Sequence, residues 1–559
     1  MPRPRSSVLV AGLATAVLGA LVAPPAGAQP VSAPSPQRTM QSSTADAAAR
    51  SSASRAVLAP RTHFTMKPDG SSGRTQGGEG IPNIDSVKKT IATYYGDPGT
   101  GIASKTTSPY ISQMRSIVRR QEATLQKRYD KAVRHHQKPT LVFDTDDTTL
   151  FTYDMEVSAM HFTFSPAIQQ QWIDDQRFAA TPAMVDYVNR AAKIGYTIVG
   201  LTGRKESQEA LTLANLKKVG YKPFTAKNFY TKWEGTKPSY IRCVDPKACT
   251  TVEYKAGTRR YLETKKKLTI VANYGDQWSD LQGGHADHAV KLPNPTYYLP
   301  SPNLPGVKQK KLSPRTHFTM APDGSSGQYV SGEGIPNIDS VKKTIAVYYG
   351  DPGTGIADKK HSPYISEVKA LAKKQRAALK ARYRAAVARG EKPALVFDTD
   401  DTTLFTYDME VAAMHFTFDP ALQDEWVQDQ RFPATPAMVT YVKAAQKAGF
   451  TIFGLTGRND GQKAATIANL AKVGYPADAF VADRFFTKPV KGQPYASWVT
   501  GCVAAPTCTT IEYKSQTRAH IEDDLGYTVV ANYGDQYSDL LGGYADRAVK
   551  LPNPTYYLP

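Results

Sequence analysis

The sequence predicts an α/β protein of two tandem domains, each a parallel sheet flanked by helices. Most of the chain occurs twice, because the residues LVFDTDDTTL at 141–150 return at 395–404. A period this long indicates a duplicated domain rather than a solenoid repeat. Within each copy, short apolar runs alternate with helix-length segments, a pattern typical of βαβ units and therefore of a parallel sheet.

The elements of the first copy follow from its periodicity and its turn residues. Apolar runs that end in polar or glycine residues predict strands, and amphipathic stretches predict helices, with Asn83 or Asp85 as candidate cap of the first. The strands are expected at 141–143, 196–201, 268–273 and 289–292, and the helices at 85–95, 110–135, 166–193 (as one or two helices), 207–219 and 258–267. The second copy gives the same order.

The start of the chain has the pattern of a secretory signal peptide. Arg3 and Arg5 precede an apolar run at 8–22, and small residues follow it at 26–28. We therefore expect a secreted protein without a membrane span after cleavage. The predicted boundaries are a signal peptide at 1–28, a disordered leader at 29–60, a first domain at 61–300, a linker at 301–314 and a second domain at 315–559.

Composition limits the classes of partner. The chain has 559 residues, 41% of them hydrophobic and 21% charged, and a formal net charge of +19. Its lysines and arginines are spread out and form no basic block interleaved with aromatic residues, so a nucleic-acid partner is not expected. The positive charge is interpreted as a solvated surface, with attraction of anionic substrates as a secondary benefit. The oligomeric state is left open.

Four cysteines form one closely spaced pair in each copy. Cys243 and Cys249 lie in the first copy, and Cys502 and Cys508 in the second. In an exported protein the default is one short disulfide per copy. A zinc half-site is the competing interpretation, but no histidine flanks either pair.

Polar residues lie at or near the ends of three predicted strands. They are Asp144 with Asp146, then Thr202, then Asp276 with Asp280, and Lys255 lies between the last two groups. The carboxyl ends of parallel strands share one edge of a sheet, where open α/β sheets bind ligands. Carboxylate oxygens suit Mg²⁺, and a hydroxyl and an ammonium suit phosphate oxygens. The pattern therefore predicts a magnesium site beside a phosphate site.

At these motifs the chain resembles the haloacid-dehalogenase (HAD) superfamily, specifically its secreted acid phosphatase branch, which includes plant vegetative storage proteins. The resemblance covers nearly all of each copy and depends on motifs in a fixed order. They are DTDDT at 144–148, LTGR at 201–204, Lys255, GDQWSD at 275–280 and the closing KLPNP at 291–295. The resemblance implies tandem Rossmann-like HAD domains with at most a small helical cap, acting on small phosphomonoesters.

The resemblance also implies a role for each residue. Asp144 would be the nucleophile that forms an aspartyl-phosphate, and Asp146 would be the general acid and base. Thr202 would bind phosphate, and Lys255 would stabilise the nucleophile and the phosphoryl charge. Asp144, Asp276 and the Asp146 main-chain carbonyl would bind Mg²⁺, with Asp280 as support. In the second copy these roles fall on Asp398, Asp400, Thr456, Lys514, Asp535 and Asp539.

Several alternatives stay open. Arg204 could clamp phosphate or form an ion pair inside the fold, and Asp147 is interpreted as a cap of the turn after the strand. The protein could be a storage or phosphoester-binding protein that kept the fold, since some relatives of this branch lack the nucleophile. It could also be a phosphotransferase that uses the same intermediate.

Overall fold

The structure is described for seven ranges of the chain. The computed structural model describes residues 63–66, 72–76, 81–245, 247–299, 317–320, 326–331 and 335–558. The predicted signal peptide (1–28), leader (29–60) and linker (301–314) lie outside these ranges. In the described ranges, no helix is long and apolar enough to cross a lipid bilayer.

The described elements of the first repeat alternate between strand and helix after an initial hairpin. In chain order they are β1 (His63–Met66), β2 (Ser72–Gln76), α1 (Ile84–Tyr95), α2 (Pro109–Arg134), β3 (Pro139–Phe143), β4 (Leu150–Phe151), α3 (Pro166–Asp174), β5 (Ala179–Ala180), α4 (Met184–Ile194), β6 (Thr197–Lys205), α5 (Glu209–Lys218), β7 (Phe229–Lys232), α6 (Thr251–Thr264), β8 (Thr269–Gly275), α7 (Trp278–Leu281) and β9 (Ala289–Lys291).

The second repeat has nearly the same order. Its elements are β10 (His317–Met320), β11 (Ser326–Ser331), α8 (Ile338–Tyr349), α9 (Pro363–Ala388), β12 (Pro393–Phe397), α10 (Pro420–Gln428), α11 (Met438–Lys447), β13 (Thr451–Asn459), α12 (Lys463–Lys472), β14 (Phe485–Lys488), α13 (Thr510–Asp523), β15 (Thr528–Gly534), α14 (Tyr537–Leu540) and β16 (Ala548–Lys550).

Each repeat contains a five-stranded sheet whose strand pairs are all parallel. The order is β7-β6-β3-β8-β9 in the first repeat and β14-β13-β12-β15-β16 in the second. Helices lie between consecutive strands, as parallel connections require. The predicted fold class, two tandem α/β units with parallel sheets, is confirmed.

The central strand β3 is buried on both faces because helices cover the sheet on both sides. Leu141 and Phe143 join the cluster that contains buried residues of α2 and α4. Val142, which points to the opposite face, joins a cluster with Tyr254 and Leu262 of α6. This two-sided burial explains why the strand is a continuous apolar run.

The predicted start of one helix and the predicted end of one strand are wrong. Helix α6 begins at Thr251, seven residues before the predicted start at 258, so Lys255 lies inside the helix. The Thr250 side chain caps it by accepting from the Glu253 N–H at 3.1 Å, while a Glu253 oxygen accepts from the Thr250 N–H at 2.8 Å. Strand β6 continues to Lys205 and so includes Thr202 and Arg204, which were expected in a turn.

The segment between β3 and β6 is a small insert. It consists of the short strands β4 and β5, which pair with each other, a single π-helical turn over Met155–Ala159 and the nine-residue helix α3. It is followed by α4, which packs against α2. The insert adds only one short helix and one turn above the strand ends.

The two repeats are joined by pairing and by packing. Strand β1 pairs antiparallel with β10, which gives a four-stranded sheet in the order β11-β10-β1-β2. Helices α1 and α8 pack against each other. One hydrophobic cluster contains buried residues from both, including Val87 and Ile91 of the first repeat and Val341 and Ile345 of the second.

Candidate active site

The sheet brings together the polar residues that follow its strands. Asp144 follows β3 directly, Asp276 follows β8 directly, and Thr202 lies near the end of β6. Since β3 lies between β6 and β8 in the sheet, all three residues occupy one edge. The Asp144 N–H donates to the Tyr274 carbonyl of β8 at 3.1 Å, which fixes the start of the loop.

Lys255 connects the ends of two motifs that are far apart in the sequence. Its Nζ donates to Asp144 Oδ1 and to Asp280 Oδ1, each at 2.5 Å, and the lysine is buried. Burial lowers the pKa of Lys255, but the Asp144 and Asp280 carboxylates outweigh this effect and raise it above its usual value. The lysine is therefore a permanent cation between two acids.

Three carboxylates form a compact group here, and two of them bond this cation. Ligand oxygens of Asp144, Asp276 and Asp280 all lie within 4.8 Å of one another, and all three residues are buried. Burial, and then the charge of Asp280, raise the pKa of Asp144 well above its usual value, which Lys255 opposes. The same two causes raise the pKa of Asp276 to about 6. A compact set of buried oxygen donors with an excess of negative charge fits a hard divalent cation.

Asp276 is oriented by neutral donors that the sequence reasoning did not single out. Its Oδ2 accepts from Asn294 Nδ2 and from Gln277 Nε2, both at 2.8 Å, and from the Tyr297 hydroxyl at 3.1 Å. The Thr148 hydroxyl donates to Oδ1 at 3.3 Å. Asn294 and Tyr297 lie in or just after the closing KLPNP motif, which was noted as a family feature without a role for its residues.

Asp146 stands apart from the carboxylate cluster. Its Oδ1 accepts from Arg204 Nη2 at 2.6 Å, and Arg204 Nε donates to the same carboxylate at 3.2 Å. The arginine side chain is 2% exposed, and its guanidinium lies 4.7 Å from the centre of the Phe178 ring. Of the two open interpretations of Arg204, the structure therefore has the ion pair. Arg204 holds Asp146 in one orientation beside the site.

Asp147 lies beside the cluster and closes the loop. It accepts from the Thr152 N–H at 3.0 Å and from Asn294 Nδ2 at 3.1 Å, and its φ of 48° is in the left-handed region. Burial, and then the charge of Asp276, raise the pKa of Asp147 to about 8. Asp147 thus bonds within the turn that follows β3, where the sequence places a cap.

Thr202 is fully buried, and its hydroxyl oxygen accepts from the Arg204 N–H at 3.1 Å.

Arg259, four residues after Lys255 on α6, was missed by the sequence reasoning. Its guanidinium donates to the main-chain oxygens of Asp280 at 2.6 Å and Gly284 at 2.9 Å. Residues at i and i+4 share one face of a helix, so a correct helix start would have placed both cations at the site.

The second repeat reproduces this geometry. Lys514 Nζ donates to Asp398 Oδ1 at 2.5 Å and to Asp539 Oδ1 at 2.6 Å, and Arg458 pairs with Asp400 at 2.6 Å. The carboxylates of Asp398, Asp535 and Asp539 form the equivalent group, and Thr456 is fully buried. The residues open onto a cavity of about 480 Å³. Its walls include Asp398, Asp400, Arg458, Lys514, Asp535 and Asp539.

The cysteines are paired within each repeat. Cys243 pairs with Cys249 at a Cα–Cα distance of 5.1 Å, and Cys502 with Cys508 at 5.0 Å. The first pair closes a loop whose Val244 N–H donates to Glu253 of α6 at 2.6 Å. The disulfides, rather than zinc half-sites, are what the structure contains, and paired cysteines are consistent with an oxidising compartment.

Several plant proteins are similar to part of this chain. It is 33% identical over 175 residues to the stem 28 kDa glycoprotein of Glycine max, covering 31% of this chain and 64% of that protein. It is 31% identical over 172 residues to acid phosphatase 1 of Solanum lycopersicum, covering 29% and 58%. Vegetative storage protein 1 of Arabidopsis thaliana is 30% identical over 163 residues, covering 29% and 55%. The chain thus spans between half and two thirds of each of these relatives.

A solved structure, the class C acid phosphatase from Bacillus anthracis, covers 38% of this chain and 87% of its own length at 20% identity, with a TM-score of 0.28. A likeness this weak adds nothing to the assignment. The family model for the HAD superfamily, subfamily IIIB (acid phosphatase), matches residues 102–300 and 356–559, which together make up most of the chain. The chain therefore belongs to the HAD superfamily, subfamily IIIB, as a tandem duplicate.

Proposed function

We propose that each repeat is a secreted, Mg²⁺-dependent acid phosphatase that hydrolyses phosphate monoesters through an aspartyl-phosphate. The observation that carries the proposal is the buried group of Asp144, Lys255, Asp276 and Asp280, repeated as Asp398, Lys514, Asp535 and Asp539. It combines a nucleophilic carboxylate, a fixed cation and a set of oxygen ligands at one point. Membership of the acid phosphatase subfamily supports the same reaction class.

The first half of the reaction forms the covalent intermediate. One Asp144 oxygen bonds to Lys255, which leaves Oδ2 as the atom that attacks phosphorus. The bond from phosphorus to the ester oxygen breaks as the new bond forms, and Asp146 gives its proton to the departing oxygen. Thr202 and Lys255 bind the phosphoryl oxygens. Mg²⁺, held by Asp144, Asp276 and the Asp146 main-chain carbonyl with Asp280 beside it, would offset the phosphoryl charge.

The second half returns the enzyme to its starting state. Asp146, now ionised and held by Arg204, takes a proton from a water molecule that attacks the phosphorus. The bond from phosphorus to Asp144 breaks, inorganic phosphate leaves, and Asp144 becomes a carboxylate again. Hydrogen bonds from Arg204 hold the Asp146 carboxyl group beside the site in both halves. The second repeat uses Asp398, Asp400, Thr456, Lys514 and Arg458 in the same way.

The test is hydrolysis of p-nitrophenyl phosphate by the wild type, Asp144→Asn, Asp398→Asn and the double variant, with Mg²⁺ and with EDTA. We expect each single variant to keep part of the activity, the double variant to lose nearly all of it, and EDTA to abolish it. An alcohol acceptor added to the assay distinguishes hydrolysis from phosphotransfer, because transfer would release p-nitrophenol without an equal amount of inorganic phosphate.

A storage or binding function is the second candidate, since two of the matched plant relatives are named vegetative storage proteins. Aspartate at both nucleophile positions favours catalysis over storage. A wild type that is inactive with Mg²⁺ and with EDTA alike would replace the phosphatase proposal with this one. Signal cleavage is tested separately, by determining the N-terminal sequence of protein recovered from the culture medium.

A further inference from the structure

The first helix of each repeat is anchored on the closing segment of the other repeat. Asn83, the N-cap of α1, donates through Nδ2 to the Asn553 carbonyl at 3.1 Å and to the Tyr556 carbonyl at 2.5 Å. Asn337, the N-cap of α8, donates in the same way to Asn294 at 3.1 Å and to Tyr297 at 2.5 Å. The exchange is reciprocal, as in a two-fold interface between identical subunits.

These closing segments also hold the carboxylate clusters. The Asn294 side chain donates to Asp276 at 2.8 Å, and Asn553 donates to Asp535 at 2.7 Å. The same asparagine therefore receives the helix of the opposite repeat through its carbonyl and orients a site carboxylate through its amide. The N-terminus of each first helix is therefore only two hydrogen bonds away from the site of the other repeat.

One turn into each helix, a lysine crosses the interface. Lys88 of α1 donates to the Phe416 carbonyl of the second repeat, and Lys342 of α8 donates to the Phe162 carbonyl of the first. Each lysine also pairs with an aspartate on its own helix, Lys88 with Asp85 at 3.0 Å and Lys342 with Asp339 at 3.4 Å. Those aspartates accept in turn from the Tyr557 and Tyr298 N–H groups of the opposite repeat, at 3.1 and 3.0 Å.

The carbonyl that each lysine holds belongs to a strained turn. His415 and Phe416 have φ values of 49° and 60°, and His161 and Phe162 have 48° and 59°. Two consecutive residues with side chains in the left-handed region are costly and need outside support. The lysine of the other repeat supplies a charge-assisted hydrogen bond to this turn.

The supported turn is part of a site wall. The cavity over Asp398 and Lys514 is lined by Phe416, Thr417 and Phe418 of the turn, and also by Asp85 and Lys88 of the first repeat. Phe418 is 62% exposed, as is Phe164, its counterpart in the first repeat. A cation and an aromatic edge thus stand at the mouth of a site whose chemistry lies deeper. Helices α1 and α8 both lie outside the regions that the family model matches.

We propose that each repeat supplies a substrate-positioning lysine to the site of the other repeat, with Lys88 acting at the second site and Lys342 at the first. The proposal rests on the phosphatase function and deepens it. The lysine holds the turn that forms the site mouth and presents its ammonium group to the cavity that an anionic phosphomonoester enters. It touches no reacting atom, so it governs substrate binding and leaves the chemical step to Asp398 or Asp144.

The test uses the full-length chain with one site silenced at a time. Asp144→Asn leaves only the second site, and in this background Lys88→Met should raise KM for p-nitrophenyl phosphate about tenfold, the loss of one charge-assisted contact, with kcat changed less than about threefold. Asp398→Asn leaves only the first site, and there Lys342→Met should have that effect. Lys88→Arg should largely restore KM. Lys89→Met, an exposed lysine on the same helix, is the matched control.

The decisive arm is Lys88→Met in the Asp398→Asn background, where only the site of its own repeat works. A KM effect there as large as in the Asp144→Asn background would overturn the proposal, as would an unchanged KM in the Asp144→Asn background. A lower kcat together with a lower melting temperature, at an unchanged KM, would also overturn it, because this combination indicates a purely structural role. Lys88→Arg guards against a folding defect, since it keeps the charge.

Failure of the phosphatase proposal is recognised separately, by inactivity of both parent variants. Calorimetric titration of the wild type, Lys88→Met and Lys342→Met with inorganic phosphate then measures the affinity of each site without turnover. We expect two phosphate sites in the wild type and a weakening of one of them, by about tenfold, in each lysine variant. Two unaltered sites in both variants would reject the proposal whatever the activity.

Discussion

Two aspartates that are separated by one residue have different cationic partners. Asp144 shares Lys255 with Asp280, while Asp146 has Arg204 for itself. Two of the three buried carboxylates therefore share one ammonium group, and the third, Asp276, is bonded by neutral donors. Full ionisation leaves an excess of negative charge in a site of low polarity, which either protons or a divalent cation must offset.

The close packing of these buried carboxylates makes the stability of the metal-free protein depend on pH. The pKa of Asp276 is raised to about 6 in the folded chain, whereas the pKa of an unfolded aspartate is about 3.9. A raised acid pKa stabilises the fold at low pH, and that stabilisation is lost as the pH rises through about 6. Without metal, the melting temperature should therefore be higher at about pH 5 than at about pH 7.5. Mg²⁺ binds the ionised form, so the melting-temperature increase that it causes should be larger at the higher pH.

Calorimetric melting at both pH values, with EDTA and with Mg²⁺, measures this response. The double variant Asp276→Asn, Asp535→Asn is the control, because it removes these two raised pKa values and should reduce the pH dependence. The raised pKa values of Asp147 and of its counterpart Asp401 account for the part that remains. A Mg²⁺-induced increase that is equal at the two pH values, or larger near about pH 5, would contradict the assignment of these carboxylates as ligands.

At the scale of elements, helix α6 carries both cations of the first site, Lys255 and Arg259, and its start is set by a capping box. Thr250 and Glu253 satisfy each other's main-chain N–H groups, and Glu253 also accepts from Val244 in the disulfide loop at 2.6 Å. The loop, the cap and the helix are thus one unit that aims Lys255 at Asp144. The same box, Thr509 with Glu512, starts α13 in the second repeat.

Thr250→Ala should lower the free energy of unfolding by about 1 kcal/mol, because an N-cap hydroxyl is lost. It should also lower the activity of the first site, measured in the Asp398→Asn background, because Lys255 lies in the second turn of the helix. Chemical denaturation and initial rates measure the two effects. Thr264→Ala, in the last turn of the same helix, is the control and should change the free energy of unfolding by less than about 0.5 kcal/mol. Equal effects of the two substitutions would show that the cap does not position Lys255.

The sequence was informative where local chemistry decides the structure. The apolar run before Asp144 predicts the central strand because helices bury both faces of β3. The start of α6 was missed because its first turn, with Tyr254 and Lys255, shows no clear amphipathic period, although the Thr250–Glu253 box was present. The edge strand β7, four residues long, was missed because so short a run gives no periodic signal. The placement of individual side chains, such as that of Asn294 beside Asp276, depends on tertiary contacts that no local pattern encodes.

At the scale of the whole molecule, the duplicated chain is organised like a two-fold dimer in one polypeptide. The contact between Asn83 and Asn553 joins residues 470 positions apart, which no periodicity in the sequence could reveal. Covalent linkage makes this association intramolecular and so favours it at any protein concentration. The repeats share one hydrophobic cluster through α1 and α8, so the stability of each depends on the other.

This sharing predicts that the two repeats unfold together. The wild type should show one calorimetric transition, with equal calorimetric and van't Hoff enthalpies. Ile91→Ala with Ile345→Ala removes fully buried side chains from the two helices of the shared cluster, at about 2–4 kcal/mol each, and should split the transition in two. Val142→Ala with Val396→Ala, fully buried within the individual sheets, is the matched control and should lower the melting temperature of a single transition. Two transitions in the wild type, or splitting in the control variant as well, would mean that the repeats are independent units, and the shared cluster would then be a contact without energetic coupling.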